Sequence, residues 1–477
     1  MTRRIFALLL AVSLFGCAVV PAPAPPPPAP ALSPAGGEPF LAELEERTFR
    51  WFWDLADPVT GLIPDRAPTP SFSSVAAVGF GLTAYVIGAE RGWVTREAAR
   101  DRTRHLLQFL LDAPEGPEPM GKTSYHGFFY HFLDMKTGRR FERVELSTID
   151  TTLLMAGVLT SQSYFDRDEP AEAAIRGLAE RLYARVDWNW AQPRPPLVSH
   201  GWMPEKGFLS WDWRGLNEAM IVYVLALGSP THPVDPAAWE EWTRTYQWHD
   251  YYGEEHVTFG PLFGHQYSQS WIDFRGIQDA YMRSKGIDYF ENSRRATYSQ
   301  RNYAMANPGK WKGYGPNLWG LTACDGPLDV TLRIGGRDRT FHTYWARSVS
   351  PQELNDDGTI APTAAAGSIA FAPEIVIPAL RAMRDRFGEP LYGRYGFVDA
   401  FNPTFDVDVK PQHGQVVRGL GWFDIDQLGI DQGPIVAMIE NHRTGLIWKT
   451  LRKNPHVVRG LKRAGFTGGW LAEAPPS

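Results

Sequence analysis

From Glu38 onward, the sequence is a succession of helix-like stretches that no linker interrupts. Apolar periodicity and helix-end signals mark twelve of them. They cover residues 38–56, 72–91, 95–112, 147–165, 170–187, 216–228, 235–249, 268–284, 288–306, 370–387, 431–442 and 445–463. Twelve helices connected in sequence suit six helical hairpins packed side by side as a ring. The sequence therefore predicts an all-α fold with one domain over residues 38–470 and a tail over 471–477, although length alone suggests two or three domains.

Two stretches are apolar on nearly every side, which is typical of helices that pack on both sides. They are residues 219–227 and 369–383, and we expect both among the inner helices of the ring. Residues 125–145 and 328–346 resemble strands instead, the second with a Gly335-Gly336 turn. These segments predict small β-hairpin insertions at the rim of the ring.

The N-terminus carries the signals of export. A basic pair and an apolar run over residues 5–15, too short to span a membrane, predict a signal peptide over residues 1–16. Residues 14–17 match a lipobox in which Cys17 receives lipid, and an ordinary secretory signal is the alternative. Residues 17–37 then form a Pro/Ala-rich tether, which favours extended polyproline II. We expect an exported protein, anchored by lipid on the periplasmic side or outer membrane of a Gram-negative bacterium.

Composition narrows the class of partner. The net charge of −5 and the pI of about 6.2 argue against nucleic acid or an anionic lipid surface. Aromatic residues make up 13% of the chain, and their faces can stack on sugar rings or fill a large core. The two cysteines are Cys17 and Cys324. If Cys17 carries lipid, Cys324 has no disulfide partner and the fold depends on the size of its core.

Carboxylates are concentrated in four segments next to long, aromatic-rich loops, and long loops inside a compact domain tend to be functional. The segments are residues 145–150, 211–218, 395–403 and 422–434. In the predicted ring all four reach the same rim. Cleavage of a glycosidic bond needs one carboxylic acid for the leaving oxygen and a second carboxylate for water or the anomeric carbon, so the rim could hold a glycosidase site.

Each carboxylate also has a purely structural explanation. Asp150 could cap a helix, Glu218 could favour a helix macrodipole, and Asp431 could be an N-cap ahead of a first-turn proline. A helix N-terminus lowers a carboxyl pKa, so a general acid at Glu218 would need burial or a neighbouring anion to raise it again. Asp399, in a loop between aromatics, is the one that local structure explains least.

Other chemistries have weaker signals. The sequence contains neither a His-Glu-x-x-His motif nor a cysteine pair, and His126 and His131 would point to opposite faces of a regular strand. A Gly-x-Ser-x-Gly motif and a phosphate-binding glycine loop are also absent from the sequence. Asp325 and Asp329 could hold calcium, but two carboxylates are a weak signal. We therefore predict neither a metal nor an organic cofactor.

Several unusual strings resemble a known family. They are residues 145–151 (ELSTIDT), 215–220 (GLNEAM), 225–233 (LALGSPTHP), 260–267 (GPLFGHQY), 302–327 with WGLTACDG, 360–367 (IAPTAAAG) and 424–441. Together they are similar to the glucoamylase-like domain of glycoside hydrolase family 144, the bacterial endo-β-1,2-glucanases, over about residues 39–466. A related domain occurs in cyclic β-1,2-glucan synthases. The resemblance implies an (α/α)6 toroid with a central cleft, no metal or cofactor, and hydrolysis with inversion at the anomeric carbon.

The resemblance also assigns roles. It implies a catalytic set of Glu218, Asp399 and Asp150, with Glu218 favoured as the general acid and Asp399 as the base, while the sequence leaves open which carboxylate is the acid. Asp150 and Glu145 are expected to hold sugar hydroxyls or to tune that pair. The predicted binding residues are the carboxylates Asp424 and Asp431, the tryptophans Trp213, Trp271, Trp319 and Trp422, and the polar residues His265, Gln266 and Arg275. Any single tryptophan could instead fill the core.

The expected partner is a glucan or oligosaccharide. We expect contact with the membrane only through the lipid on Cys17, no nucleic-acid partner, and a monomer. Four alternatives stay open from sequence: exo action, transglycosylation, a polysaccharide lyase, and a non-catalytic glycan-binding lipoprotein. An acidic rim argues against a lyase, because a polyanionic uronate polymer would prefer a basic cleft.

Overall fold

The computed structural model describes residues 38–473. Over that range the chain forms fifteen α-helices and twenty-two short strands. The helices are α1 (Pro39–Leu55), α2 (Val75–Glu90), α3 (Arg96–Asp112), α4 (Thr148–Tyr164), α5 (Pro170–Ala184), α6 (Met220–Gly228), α7 (Ala237–Thr243), α8 (Phe263–Trp271), α9 (Ala280–Lys285), α10 (Tyr289–Ala306), α11 (Pro362–Ala366), α12 (Pro373–Phe387), α13 (Gly429–Arg443), α14 (Leu446–Leu451) and α15 (Pro455–Arg463). The strands are β1 (Arg66–Ala67), β2 (Ser73–Ser74), β3 (Ser124–Tyr125), β4 (Phe128–Phe129), β5 (Phe132–Leu133), β6 (Leu146–Ser147), β7 (Gly201–Met203), β8 (Gly207–Phe208), β9 (Trp248–Tyr251), β10 (Glu254–Val257), β11 (Ala323–Cys324), β12 (Val330–Ile334), β13 (Arg337–Phe341), β14 (Trp345–Ala346), β15 (Ser348–Val349), β16 (Leu354–Asn355), β17 (Tyr392–Gly393), β18 (Gly396–Phe397), β19 (Phe401–Asn402), β20 (Gln415–Val417), β21 (Gly421–Phe423) and β22 (Gln427–Leu428).

Six helices, α2, α4, α6, α8, α11 and α13, form an inner ring and are buried on nearly every side. The ring closes because each neighbouring pair is in contact. Packing joins α2 to α4, α4 to α6, α11 to α13, and α13 back to α2. Side chains join the other two pairs, since Ser268 of α8 accepts from the Ile221 N–H of α6 and Gln266 of α8 donates to the Ala364 carbonyl of α11. The predicted (α/α)6 toroid is confirmed.

The outer helices are amphipathic, with one buried face each, as in α3 and α12. The buried side chains fall into two large apolar clusters, one around α2, α4 and α6 and the other around α11 and α12. Helix α13 contributes Val436 to the first cluster and Met438 to the second, and so joins the two halves of the core.

Glycines set how closely α2 and α4 approach each other. A Cβ atom on Gly157 of α4 would lie 2.1 Å from the Gly79 carbonyl oxygen of α2. A Cβ on Gly79 would lie 2.2 Å from the carbonyl oxygen of Leu153. Real contacts of this kind exceed 3 Å, so only glycine permits this backbone-to-backbone packing.

The structure corrects several predicted boundaries. Residues 369–383 do not form an inner helix, because α12 is amphipathic with exposed arginines and the inner helix there is the five-residue α11. The stretch 268–284 contains the end of α8 and a separate α9, and 445–463 is divided into α14 and α15, where Pro455 opens α15 after an Asn454 cap.

The two predicted hairpins have different outcomes. Strands β12 and β13 pair in full register around the Gly335-Gly336 turn, as predicted. Residues 125–145 turn back at 136–138 through a single Leu133–Arg140 bridge, and in place of one long hairpin they contain two-residue strands of which β5 also pairs with β2. That pairing ties the segment to the start of α2.

Some predictions fall outside residues 38–473 and stay predictions. The signal peptide (1–16), the lipidated Cys17 with its tether (17–37), and the last four residues of the tail lie there. Within the described range, none of the helices has the length and hydropathy that crossing a bilayer requires.

Candidate active site

Short strands lead into inner helices at one end of the ring. Strands β2, β6 and β22 run directly into α2, α4 and α13. Strand β1 pairs with β22, and Thr363 in the first turn of α11 donates to the Asp431 carbonyl in the first turn of α13. Helix N-termini carry free N–H groups and partial positive charge, so acidic side chains are favoured there. This end of the ring is where the predicted carboxylates lie.

Asp150 and Glu145 meet at the start of α4, on either side of His131. His131 Nδ1 lies 2.8 Å from Glu145 Oε1, and its Nε2 lies 3.5 Å from Asp150 Oδ2. Ser147, the N-cap of α4, also donates its hydroxyl to Asp150. We refer to Glu145, Asp150, His131 and the adjacent Glu218 as the histidine group.

Charges within the histidine group oppose the effect of burial. Burial acts to lower the pKa of His131, but Asp150 and Glu145 raise it to about 9. Burial acts to raise the pKa of Glu145, but the hydrogen bond and charge of His131 hold it below its usual range. For Asp150 burial prevails and its pKa is raised, although His131 opposes the rise.

Glu218 lies in the turn just before α6. Burial, and then the negative charge of Asp150, raise its pKa to about 7, although its own backbone N–H acts to lower it. The condition set from sequence, that burial or an anion must offset the helix terminus, is therefore met. At neutral pH a large fraction of Glu218 carries a proton that it can donate.

Asp325, Asp399, Asp424 and Asp431 form a second cluster, the aspartate group. The Asp325 backbone N–H donates to Asp399 Oδ2 at 2.8 Å. Burial, then the charge of Asp325, raise the pKa of Asp399 to about 7. Burial, then the charge of Asp399, raise the pKa of Asp431 well above its usual value. Two buried carboxyls that repel each other cannot both be ionised easily, so the pair holds one proton between them near neutral pH.

Arg66 in β1 neutralises part of the aspartate group. Its Nη1 lies 2.6 Å from Asp325 Oδ2, and its Nε lies 3.3 Å from Asp65 Oδ2. Asp65 interacts electrostatically with both His131 and Asp325. The Asp65-Arg66 pair therefore lies between the histidine group and the aspartate group.

Two tyrosines also adjoin the carboxylates. Burial, then Asp431, raise the pKa of Tyr267, and Glu218 and Asp150 contribute to the same rise. Tyr344, in the turn before β14, has a 54% exposed side chain. Desolvation, and then the negative charges of Asp431 and Asp399, raise the pKa of Tyr344. Tyr344 is thus an aromatic side chain at the solvent side of the aspartate group.

Asp325, Asp399 and Asp424 can each place one oxygen within 4.8 Å of the others, which is a spacing that a metal ion could bridge. Arg66 already supplies positive charge to Asp325. Asp329, suggested from sequence as a calcium partner of Asp325, is exposed, accepts from Thr343 and does not belong to this cluster.

Several predicted binding residues lie in the core instead. Trp271 is fully buried, stacks on Phe80 at 4.5 Å and donates to Thr83. Trp422 is fully buried and donates to the His413 carbonyl. A ring covered on both faces cannot stack on a sugar, so the structure corrects the prediction of Trp271 and Trp422 as platforms.

Polar candidates on α8 are corrected for related reasons. Gln266 is 1% exposed and uses its amide to hold Ala364 and Ser368 of the neighbouring inner segment. His265 is 2% exposed beside Phe259. Both side chains are buried where helices pack against their neighbours, so little room is left for a sugar hydroxyl.

Arg275 lies at the wrong end of the ring. It follows the C-terminus of α8 and forms a bidentate pair with Asp273, which also binds Arg452. The carboxylate groups lie at helix N-termini, so Arg275 cannot reach them.

Trp213 is the tryptophan that the structure places beside the histidine group. Its Nε1 donates to Thr148 at 2.9 Å, in the first turn of α4, and His200 stacks on it at 3.7 Å. Trp319 is 1% exposed within the second apolar cluster, which fits a core role.

The part of the site that sequence reasoning missed is its cationic component. The sequence pattern offers His131 only as half of a possible zinc pair, and it does not mark Arg66. The available signals were Arg66 beside Asp65 just ahead of α2, and a histidine in a segment that ends at Glu145.

Comparison with known protein families identifies the family of this chain. Residues 210–455 match the Glycoamylase family model, described as "Putative glucoamylase". The chain belongs to this family. The chain is similar to a curated protein of Parabacteroides distasonis, the exo beta-1,2-glucooligosaccharide sophorohydrolase (non-reducing end). The two are 30% identical over 465 residues, which cover 90% of this chain. The chain spans 58% of the length of that relative.

Solved structures also resemble this chain along most of its length. The endo-beta-1,2-glucanase of Chitinophaga pinensis, in complex with sophorotriose and glucose, is 29% identical with a TM-score of 0.76, covering 90% of this chain and 98% of that one. The endo-beta-1,2-glucanase of Talaromyces funiculosus, bound to sophorose, is 12% identical with a TM-score of 0.57, covering 86% of each chain. The fungal likeness concerns the fold alone.

Proposed function

We propose that this protein hydrolyses β-1,2-glucan with inversion, with Glu218 as general acid and Asp399 as general base. The observation that carries the proposal is a pair of carboxyl groups at one rim, in separate clusters, each with a pKa of about 7. The Glycoamylase relatives named for β-1,2-glucan and its oligosaccharides support the choice of substrate.

The two carboxyls suit different steps of the reaction. Glu218 has an anion, Asp150, beside it and holds its proton near neutral pH, so it can protonate the leaving glycosidic oxygen. Asp399 accepts a hydrogen bond from the Asp325 N–H and shares one proton with Asp431, so in its ionised form it can accept a proton from water. Asp399 Oδ1 and Asp431 Oδ2 are both buried without a hydrogen-bond donor in the part of the chain that the structure describes, so a proton shared between the two carboxyls, or a water, would satisfy them.

The first experiment follows the products by anomer-resolved proton NMR. Purified protein is incubated with linear β-1,2-glucan, and the early product should be the α-anomer, because inversion of a β-linkage yields an α hemiacetal. Early β-anomer would exclude inversion. If β-1,2-glucan stays intact while a glucan with another linkage is cleaved, β-1,2-glucan is excluded as the substrate.

We further propose endo action, supported by the likeness to the Chitinophaga endo-glucanase over nearly all of that chain. Endo action predicts a ladder of oligosaccharides and an early fall in viscosity. Release of sophorose alone from the first minutes would indicate the exo action named for the Parabacteroides relative.

The roles are tested by Glu218→Gln and Asp399→Asn. Each should lower kcat by about 10²–10⁴-fold with a small change in KM, since proton transfer contributes about that much. Asp408→Asn, a nearly fully exposed carboxylate in the loop after β19, is the matched control and should keep wild-type kcat. Retention of more than a tenth of kcat in either variant would contradict its assignment.

A further inference from the structure

His131 is fixed in place by its backbone as well as by its side chain. Its N–H donates to the Glu145 carbonyl at 2.9 Å, and its carbonyl accepts from the Val75 N–H at 3.2 Å. Its ring stacks on Phe132 with the centroids 4.0 Å apart. The imidazole is therefore held between α2 and α4 in one orientation.

Both ring nitrogens of His131 face carboxylates. Nδ1 faces Glu145 at 2.8 Å and Nε2 faces Asp150 at 3.5 Å. Asp65 adds a third negative charge from the segment ahead of β1. A neutral imidazole has one N–H, so only the imidazolium satisfies both neighbours as a donor. The geometry thus selects the protonated ring.

Resting on the proposed function, we infer that His131 is a positioning residue whose imidazolium holds Asp150 as a carboxylate within electrostatic reach of Glu218, the proposed general acid. Asp150 is 3% exposed, and His131 gives it a positive charge in addition to the Ser147 hydroxyl. The negative charge of Asp150 then favours the protonated form of Glu218.

The inference predicts the direction in which the pKa of Glu218 changes when His131 is replaced. Without the imidazolium, Asp150 is a buried anion beside Glu145 and takes up a proton more readily. A neutral Asp150 no longer raises the pKa of Glu218. His131→Gln should therefore make Glu218 a stronger acid and deplete its protonated form at neutral pH.

The test uses the full-length protein, labelled with [5-¹³C]glutamate, and follows the Glu218 carboxyl carbon as a function of pH. Glu218→Gln assigns the resonance. We expect the midpoint near pH 7 to fall by ~1 unit in His131→Gln, a typical size for the loss of a nearby charge. His126→Gln is the control, since His126 lies in the same segment but pairs with Asp187 and stacks on Trp190. It should leave the midpoint unchanged.

Kinetics give a second readout. The basic limb of the kcat profile on β-1,2-glucan should move in parallel to lower pH, with about fivefold lower kcat at pH 7 for a shift of ~1 unit. An unchanged Glu218 midpoint in folded His131→Gln protein would overturn the inference, whatever happens to kcat. A shifted midpoint without any cleavage of β-1,2-glucan by the wild type would support the inference and refute the proposed substrate. If His131→Gln fails to fold, Asp150→Asn should lower the same midpoint, and its failure to do so would also overturn the inference.

Discussion

The contact between α2 and α4 makes a sharp prediction about stability. In Gly157→Ala, the new Cβ would lie 2.1 Å from the Gly79 carbonyl oxygen, about 1 Å inside a normal contact. The neighbour is backbone in a buried helix, so relief requires the two helices to separate. Overpacking of a tight core costs about 1–3 kcal/mol, and we expect the upper end because a flexible side chain is not available to yield.

Gly177→Ala on the outer helix α5 is the matched control. Gly177 is exposed, and a Cβ there has nothing within 4 Å. Alanine in a helix interior is favoured over glycine by about 1 kcal/mol, so this variant should be stabilised by about that amount. The same substitution in two helices of one protein should therefore have opposite signs.

Thermal unfolding followed by differential scanning calorimetry measures both variants. The unfolding entropy of a domain of this length is about 0.9 kcal/mol/K near Tm, so Gly157→Ala should lower Tm by about 2–3 °C and Gly177→Ala should raise it by about 1 °C. A Gly157→Ala variant as stable as the wild type would refute the reasoning, because it would mean that α2 and α4 can separate at negligible cost.

Two further predictions concern buried charge. Asp399 has a pKa raised to about 7 by burial and Asp325, so the folded protein binds the extra proton and loses stability as pH rises from about 4 to 7. Asp399→Asn should therefore gain on the order of 2–4 kcal/mol over wild type at pH 8 and little at pH 4, and a gain that is equal at both pH values would contradict this account. Arg347 is fully buried, with Nε and Nη2 each 2.8 Å from the Asp357 carboxylate, so Arg347→Lys should cost about 3 kcal/mol in urea unfolding. Arg333→Lys, at an exposed ion pair on the β12–β13 hairpin, should change stability by less than about 0.5 kcal/mol, and equal losses for the two lysine variants would refute the distinction.

The sequence was informative about the carboxylates because their position depends on local structure. Asp150 and Asp431 lie in first turns of inner helices, and Glu218 lies in the turn before another. Once a ring of hairpins is predicted, residues ahead of alternate helices must share a rim. The assignment of those residues to one face needed no knowledge of long-range contacts.

The direction of side chains around the ring could not be derived in the same way. Trp271 and Trp213 look alike in sequence, yet one is enclosed by Phe80 and the other reaches the start of α4. Arg275 is only two residues from Asp273, which binds it, but the end of the ring at which Arg275 lies depends on where α8 stops. His131 is 14 residues from Glu145, and their contact depends on an antiparallel bridge between Tyr130 and Leu146 whose register the sequence pattern does not specify.

The closed inner ring also separates two kinds of change that such a protein can undergo. The ring is completed by α13 against α2, while the β12–β13 hairpin projects from a loop between α10 and α11. Lengthening a surface loop adds only a slowly growing closure entropy, so the hairpin and its neighbours can vary without reopening the ring. Grafting rim segments between members of the family should therefore leave the unfolding temperature with the protein that supplied the ring and, on the proposed function, alter which glucan lengths are cleaved.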